Sequence, residues 1–457
     1  MIEEMDIVFD KLNFFFETRK FADLRILTLD LEPADIAQFM ENQLDEKDQL
    51  RFFRLLPKEQ ASDVFVETDY DTQERLIKAF TDKELKAVID DMFLDDAVDL
   101  IEEMPANVVK RILKNSDPEN RKQINELLEY PDDSAGSIMT TEYVSLSASM
   151  TVEDAFEKIR RTGVNKETVY TCYVTDRKKK LIGVATVRDM LLSEKQELIA
   201  HIMDTNVITV ETLEDKEQVA LKFSRYDFLA LPVIDKEGCL VGIVTVDDAV
   251  DVIQEEATED IQKMAAILPT EKPYLKQSVW SIWKARAPWL LLLMISATFT
   301  SMILSGYESS LTVICDGLLY AFVPMLMGTA GNAGNQSSAT VIRALALDEV
   351  NFRDFFKVVL KELLSALILG LTVAVACFLK MYFIDNLYSI VPIDVCLIVS
   401  GVLLISIVVA KLVGCVLPLI AKKCKLDPAV VASPFMTTIV DVLCLIIYCS
   451  IAIAILA

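Results

Sequence analysis

The chain ends in SPFMTTIVDVLCLIIYCSIAIAILA, Ser433 to Ala457, an apolar stretch that keeps a single carboxylate, Asp441. An ionised side chain inside a bilayer costs at least ~2.5–3.5 kcal/mol on the mildest scale, so it persists where water, a partner or a cation offsets that cost. Pro434, Thr437, Thr438, Asp441 and Tyr448 recur at spacings of three, four and seven residues and share one helical face. A second polar interruption, PMLMGTAGNAGNQSSAT, sets small and amide residues between Leu326 and Val341. Small residues of this kind also serve close helix packing. Two chemistries fit Asp441: an ion pair with Lys411, the lysine midway along a neighbouring apolar stretch, or a water-lined cation path. The reading adopted is the path.

The elements that would carry such a path follow from composition. Five apolar stretches, 288–306, 311–335, 355–379, 394–420 and 430–455, are each near the ~20 residues that cross the hydrocarbon core. Lys276, Lys284, Arg286, Arg343, Arg353, Lys357, Lys361, Lys422, Lys423 and Lys425 flank one side of these spans, and Lys380 alone the other. The positive-inside rule then puts the N-terminal part in the cytoplasm and the C-terminus outside, in a multi-pass protein of the cell membrane. Residues 1–275 carry a net charge of −26 and the remainder +2. So negative a part repels nucleic acid and attracts cations. The nine cysteines form no CxxC pair, and the only histidine is His201, which excludes His-rich metal sites. The acidic start, MIEEMDIVFD, does not read as a signal peptide. No phosphate-binding loop, zinc-protease or serine-hydrolase motif occurs, so an enzyme is not expected.

Residues 138–257 hold an internal repeat. SIMTTEYVSLSASMTVEDAFEKIR is echoed by HIMDTNVITVETLEDKEQVALKFS, and LIGVATVRDML by LVGIVTVDDAV. The pair resembles tandem CBS modules, of α/β type, placed at 131–200 and 201–257. That likeness implies an adenine-nucleotide site at Thr186, Arg188 and Asp189, with Phe228 beside it; a buried strand running into a helix cap explains the same residues. Residues 1–130 are expected to be all-helical and acidic, from segments such as EPADIAQFM and DDAVDLIEEM with apolar residues at i, i+3 and i+4. The run VDDAVDVIQEEATEDIQ crowds Asp248, Asp251, Glu256, Glu259 and Asp260 into one helical segment beside another acidic domain. Facing carboxylates of this density repel unless a hard divalent cation lies between them.

An acidic helical domain, two CBS modules, a connecting helix at 258–287 and five spans at 288–457 resemble, in that order, the MgtE family of magnesium channels. The likeness rests most firmly on GTAGNAGNQSSA (328–339), TEDIQ (258–262) and DPAVVASPFMTTIVDV (427–442). It implies a multidomain membrane protein acting as a homodimer, with the second and fifth spans lining a Mg²⁺ pore. Asp441 would hold the hydrated ion, Asn332 and Thr437 would neighbour it, and Asp427 would stand at the cytosolic end. Regulatory Mg²⁺ would sit between Asp91, Asp95 and Asp99 on one side and Asp248, Asp251, Glu256, Glu259 and Asp260 on the other, with Asp227 added to the set, closing the pore when cytosolic Mg²⁺ is high. ATP in the CBS modules is a further implication. The alternatives are a CBS-regulated transporter of Co²⁺, Mn²⁺ or Zn²⁺ on the same scaffold, and a membrane-anchored adenine-nucleotide sensor. Where the family has Gly-Gly-Asn, this chain has Ala330-Gly331-Asn332.

Overall fold

The computed structural model describes residues 2–270, 274–387 and 390–456; the side chains at 2–4, 59, 165, 309–317 and 431–434 lie outside the description, and with them that of Pro434. The chain divides after Ile253 into two compact units.

The first unit opens with short helices running from α1 (Ile2–Glu17) to α10 (Pro118–Leu127). Their starts are written in the sequence. Pro33 occupies the first turn of α3 (Pro33–Gln43). Asp69 caps α6 (Tyr70–Ala79), its Oδ1 accepting from the Thr72 N–H at 3.1 Å. Thr81 and Glu84 form a capping box on α7 (Asp82–Asp91). Helices of two or three turns are not stable alone, so their apolar faces must find each other. They do so in two rows. α3 packs on α5 (Lys58–Val66), α5 on α7, and α7 on α9 (Ala106–Asn115), while α4 (Glu46–Phe53) packs on α6 and α8 (Leu94–Glu103) on α10. Phe39, Phe52, Phe53, Phe65 and Phe80 fill the space between the rows. This is the helical array expected for 1–130.

Two three-stranded sheets follow. In the first, β1 (Ser145–Ser147) runs parallel to β2 (Thr171–Thr175), which is antiparallel to β3 (Leu181–Thr186). In the second, β4 (Val210–Glu211), β5 (Ala230–Ile234) and β6 (Leu240–Thr245) repeat the pattern. Helices α11 (Val152–Thr162), α12 (Val187–Leu192), α13 (Ile199–Ile202), α14 (Lys216–Tyr226) and α15 (Val246–Met264) complete the repeat. The two halves exchange their lead-in segments: Thr140 pairs with Ile243 of β6, and Asp204 with Val184 of β3. A Cβ on Gly242 would come within 2.8 Å of the Thr140 carbonyl, and one on Gly183 within 3.0 Å of that of Asp204. Only glycine admits the crossing strand, which is why Leu-Ile-Gly and Leu-Val-Gly recur in the two halves.

The second unit holds the rest of α15, then α16 (Val279–Val313), a 3₁₀ stretch (Ile314–Phe322), α17 (Val323–Ala346), α18 (Phe355–Phe383), α19 (Ile393–Lys423) and α20 (Pro428–Leu456). Among the described residues four stretches are long and apolar enough to cross a membrane: Val279–Glu308, Phe352–Leu387, Ile393–Lys423 and Phe435–Leu456. The second expected span is the exception. Expected at 311–335, it is instead a helix at Val323–Ala346 with Pro324 in its first turn, and α16 with the 3₁₀ stretch takes up the chain before it. Its polar GTAGNAGNQSSAT segment therefore lies mid-helix, which lowers its apolar content below that of the other four.

Candidate ion path and acidic clusters

α17 packs on α19 and α20, and α16 packs on α20. Leu326, Ala330, Gly331, Ala333, Gly334, Ser337 and Val341 make the buried face of α17. Gly328, Asn332, Gln336 and Thr340 recur every fourth residue and are all exposed. Beside this stripe, half-buried Asp441 points its Oδ1 at Gly331, 4.0 Å from where a Cβ on that residue would stand. The glycine facing the carboxylate is thus retained, and the alanine at 330 faces the core.

The face expected of the fifth span is divided among neighbours. Thr437, one turn before Asp441, is half-buried. The Thr438 hydroxyl lies 3.0 Å from that of Ser296 on α16, and the Tyr448 hydroxyl donates to the Leu319 carbonyl at 2.7 Å. Lys411 does not reach Asp441. It pairs with Glu362 of α18 at 3.0 Å, and among the described residues no lysine or arginine pairs with Asp441. Glu362 was missed because Lys361-Glu362 at the start of a span reads as surface charge; an intramembrane lysine should have prompted a search for its acid.

At the start of α20, Asp427 accepts an ion pair from Lys263 of α15 at 2.8 Å, and Lys263 also holds Glu259 at 2.9 Å. Burial, then Asp427, raises the Asp260 carboxyl above its usual range. Glu259, Asp260 and Asp427 therefore share one cluster, with a lysine in it that sequence reasoning overlooked.

A second acidic cluster lies in the first unit. Asp95 of α8 is 8% exposed. Burial, then Asp96, pushes its carboxyl up to about 7. Burial and Asp248 do the same for Asp96, and burial and Asp95 for Asp248, each up to about 7. Asp99, on the solvent side, is raised by partial desolvation and by Asp248. Glu167, near these aspartates, is pushed up to about 8 by burial, then Asp95. Its Oε2 is buried without a hydrogen-bond partner among the described residues. Desolvation and then Asp251 raise Glu67, which follows α5, and desolvation and then Asp91 raise Asp63 of α5. Asp96, Glu167, Glu67 and Asp63 were not expected: none belongs to a recognisable motif, and only packing brings them to α8 and α15.

Among the described residues no three histidine, cysteine or acidic side chains form a group able to hold a bare metal ion, so the expected regulatory ligands do not make a closed coordination shell. Asp227 is exposed, with φ of 55° at the C-terminal cap of α14. Glu256 lies in the second unit, half-buried on α15.

Thr186 and Asp189 form the capping box of α12, with the Thr186 hydroxyl donating to Asp189 Oδ2 at 2.5 Å. Arg188 is exposed, and Phe228 stacks on Tyr226 at 5.6 Å. A cleft of about 200 Å³ lined by Lys180, Ile182, Thr205, Val207 and Gly238 includes none of the four.

Comparison with known proteins decides the family. A family model described as a divalent cation transporter, MgtE, matches residues 323–451; the MgtE intracellular N domain matches 31–133, and CBS domains match 135–194 and 199–255. This chain belongs to the MgtE family. The magnesium transporter MgtE of Thermus thermophilus is 37% identical over 434 residues, 94% of each chain. The magnesium transporter MgtE of Bacillus subtilis is 32% identical over 95% of this chain and 94% of its own. The crystal structure of the soluble part of a magnesium transporter matches 55% of this chain and 99% of its own, with a TM-score of 0.53 and 34% identity. MgtE proteins are transporters and not enzymes, as the missing catalytic motifs had indicated.

Proposed function

We propose that the chain is a magnesium channel of the cell membrane, a homodimer of five-span subunits whose Mg²⁺ path runs between the α17 stripe and Asp441. One observation carries this reading: Asn332, Gln336 and Thr340 stand exposed in a row on a helix packed among apolar spans, next to a carboxylate, Asp441, that no lysine or arginine pairs among the described residues. Moving an amide from water to hydrocarbon without a hydrogen bond costs roughly 4–8 kcal/mol, so such a row faces water or a second subunit and not lipid. A hydrated Mg²⁺ supplies that water. It sheds water reluctantly, and amide, hydroxyl and carboxylate oxygens bind its shell without stripping it. Thr437 and Asn332 flank Asp441 on this path, and Asp427 stands at its cytoplasmic end. The purified protein in liposomes should pass Mg²⁺ down an imposed potential, ahead of Ca²⁺, Mn²⁺, Co²⁺ and Zn²⁺; preference for one of the others would identify it as a transporter of that ion.

The acidic parts act as the sensor, with the N-terminal part cytoplasmic. Mg²⁺ between Asp95, Asp99, Asp248, Asp251, Asp91 and Glu167 stabilises the compact first unit. Glu256 of α15, with Glu259 and Asp260 on the connecting segment 258–287, passes that state to Asp427, whose partner Lys263 is a tethered cation occupying the place of a metal ion. A ligand that binds the compact state better shifts the population towards it. High cytosolic Mg²⁺ then closes the pore.

The CBS pair, 131–200 and 201–257, binds ATP through Asp189. Only Oδ2 of this carboxylate serves the helix cap, leaving Oδ1 towards solvent for a ribose hydroxyl. Asp189→Asn keeps a cap acceptor and removes the charge. It should weaken ATP binding to the full-length protein about tenfold, the worth of one charged hydrogen bond. Unchanged affinity in titration calorimetry would move the nucleotide elsewhere.

A further inference from the structure

α17, α18 and α19 meet around a buried ion pair. Lys411 Nζ of α19 lies 3.0 Å from Glu362 Oε2 of α18, with the side chains 8% and 16% exposed. The same Glu362 oxygen accepts from the Ser337 hydroxyl of α17 at 2.7 Å, and Lys411 donates to the Ser365 hydroxyl at 2.8 Å. Three helices thus share one network in which both charges are satisfied. One turn before Ser337 the α17 and α19 backbones touch: a Cβ on Gly334 would stand 3.0 Å from the carbonyl of Ala410, the residue before Lys411. The helix crossing and the ion pair are therefore consecutive. Ser337 directly follows Gln336, a member of the exposed stripe.

We propose that Glu362 and Lys411 are positioning residues for the ion path, a neutral clasp that holds α17 through Ser337 so that its Asn332–Gln336–Thr340 stripe faces the path. The inference rests on the path between α17 and Asp441. Two physical needs converge on the pair. Close packing through small residues sets how near α17 and α19 approach but supplies no directional contact. A hydrogen bond from the buried face to a fixed carboxylate supplies one. A carboxylate beside a divalent-ion path would also trap the ion, since conduction requires binding weak enough to release it. Lys411 cancels Glu362 and leaves Asp441 as the charge the ion meets. Breaking one member of a buried pair leaves an uncompensated charge, whereas neutralising both is often tolerated.

The test uses the full chain in liposomes, with Mg²⁺ flux normalised to protein that elutes as a folded species. Lys411→Met and Glu362→Gln should each lower flux about tenfold, and the double variant should return to within about threefold of the unsubstituted protein. Lys411→Arg, which keeps the charge, should stay near the unsubstituted level. Ser337→Ala removes only the link to α17; it should reduce flux about tenfold, the worth of one charge-assisted hydrogen bond. A double variant no better than the poorer single one overturns the clasp. Ser337→Ala with unchanged flux overturns its action through α17. If the singly substituted proteins do not fold, the double variant and Ser337→Ala, which bury no lone charge, decide alone. Full flux in Asp441→Asn would sink the path reading instead, and recovery in the double variant would still judge the pairing.

Discussion

Asp441→Asn is expected to give a folded protein that passes almost no Mg²⁺. The amide matches the carboxylate in size, so the packing of α20 against Gly331 survives. What goes is the attraction of a full negative charge for a divalent ion held near it. At about 5 Å and an effective dielectric of about 20, this attraction is worth about 7 kcal/mol; losing less than half of it at the slowest step lowers the rate roughly a hundredfold. The measurement is flux into liposomes under an imposed potential, beside thermal unfolding to confirm folding. Near-normal flux would remove Asp441 from the path. Lys411 offers a second discriminator. Were Asp441 a mere counter-charge, Lys411→Met would rescue Asp441→Asn; the pairing of Lys411 with Glu362 predicts no rescue and a further loss.

The other large effect concerns the sensor. Neutralising Asp248, Asp251, Glu256 and Glu259 together should abolish the protection from proteolysis that millimolar Mg²⁺ gives the soluble part. Single changes should do little, because several carboxylates share the ion. Asp248 and the carboxylates packed around it give the effect a pH dependence. In the compact unit the carboxyls of Asp95, Asp96 and Asp248 are pushed up to about 7, and that of Glu167 to about 8, from ordinary values of 3.8 and 4.5. The compact state therefore binds more protons than the loose state between about pH 4 and pH 8. Its stability falls as pH rises through that window and levels off above it. With a chelator present, cleavage should be faster near pH 8.5 than near pH 6, roughly following these titrations. Mg²⁺ takes the place of the protons and should flatten the difference. Cleavage that is independent of pH in chelator would remove the buried carboxylates as the source of instability. Protection that survives the fourfold change would show that those four residues are not the sensor.

Much of this molecule is legible in its sequence because the signals are local. Pro33, Asp69 and Thr81 announce helix starts, and short apolar periods tell which face is buried. The Leu-[Ile/Val]-Gly repeat announces two equivalent strands, and the structure adds why the glycines are there: each lets a lead-in segment from the opposite half cross. Composition divides the chain into an acidic and an apolar part, and Asp441 stands out as the residue that needs an explanation.

Where chain-distant groups must find each other, sequence is silent, since periodicity records a residue's face but not what that face meets. Thr438 and Asp441 share a predicted face, yet one hydroxyl bonds α16 and the other carboxylate looks onto α17. The register of α17 depended on Pro324 and on how far α16 and the 3₁₀ stretch extend, which hydropathy does not resolve. Glu167 lies more than sixty residues from either α8 or α15, and its buried, unpartnered oxygen exists only because the helical array and the first module fold onto the same acidic surface. Lys411 and Glu362 each look like an isolated charge in a sequence window. Their pairing depends on α18 and α19 crossing at that depth, so the residues able to act were set by the sequence, and the partners that give them a role were chosen by packing.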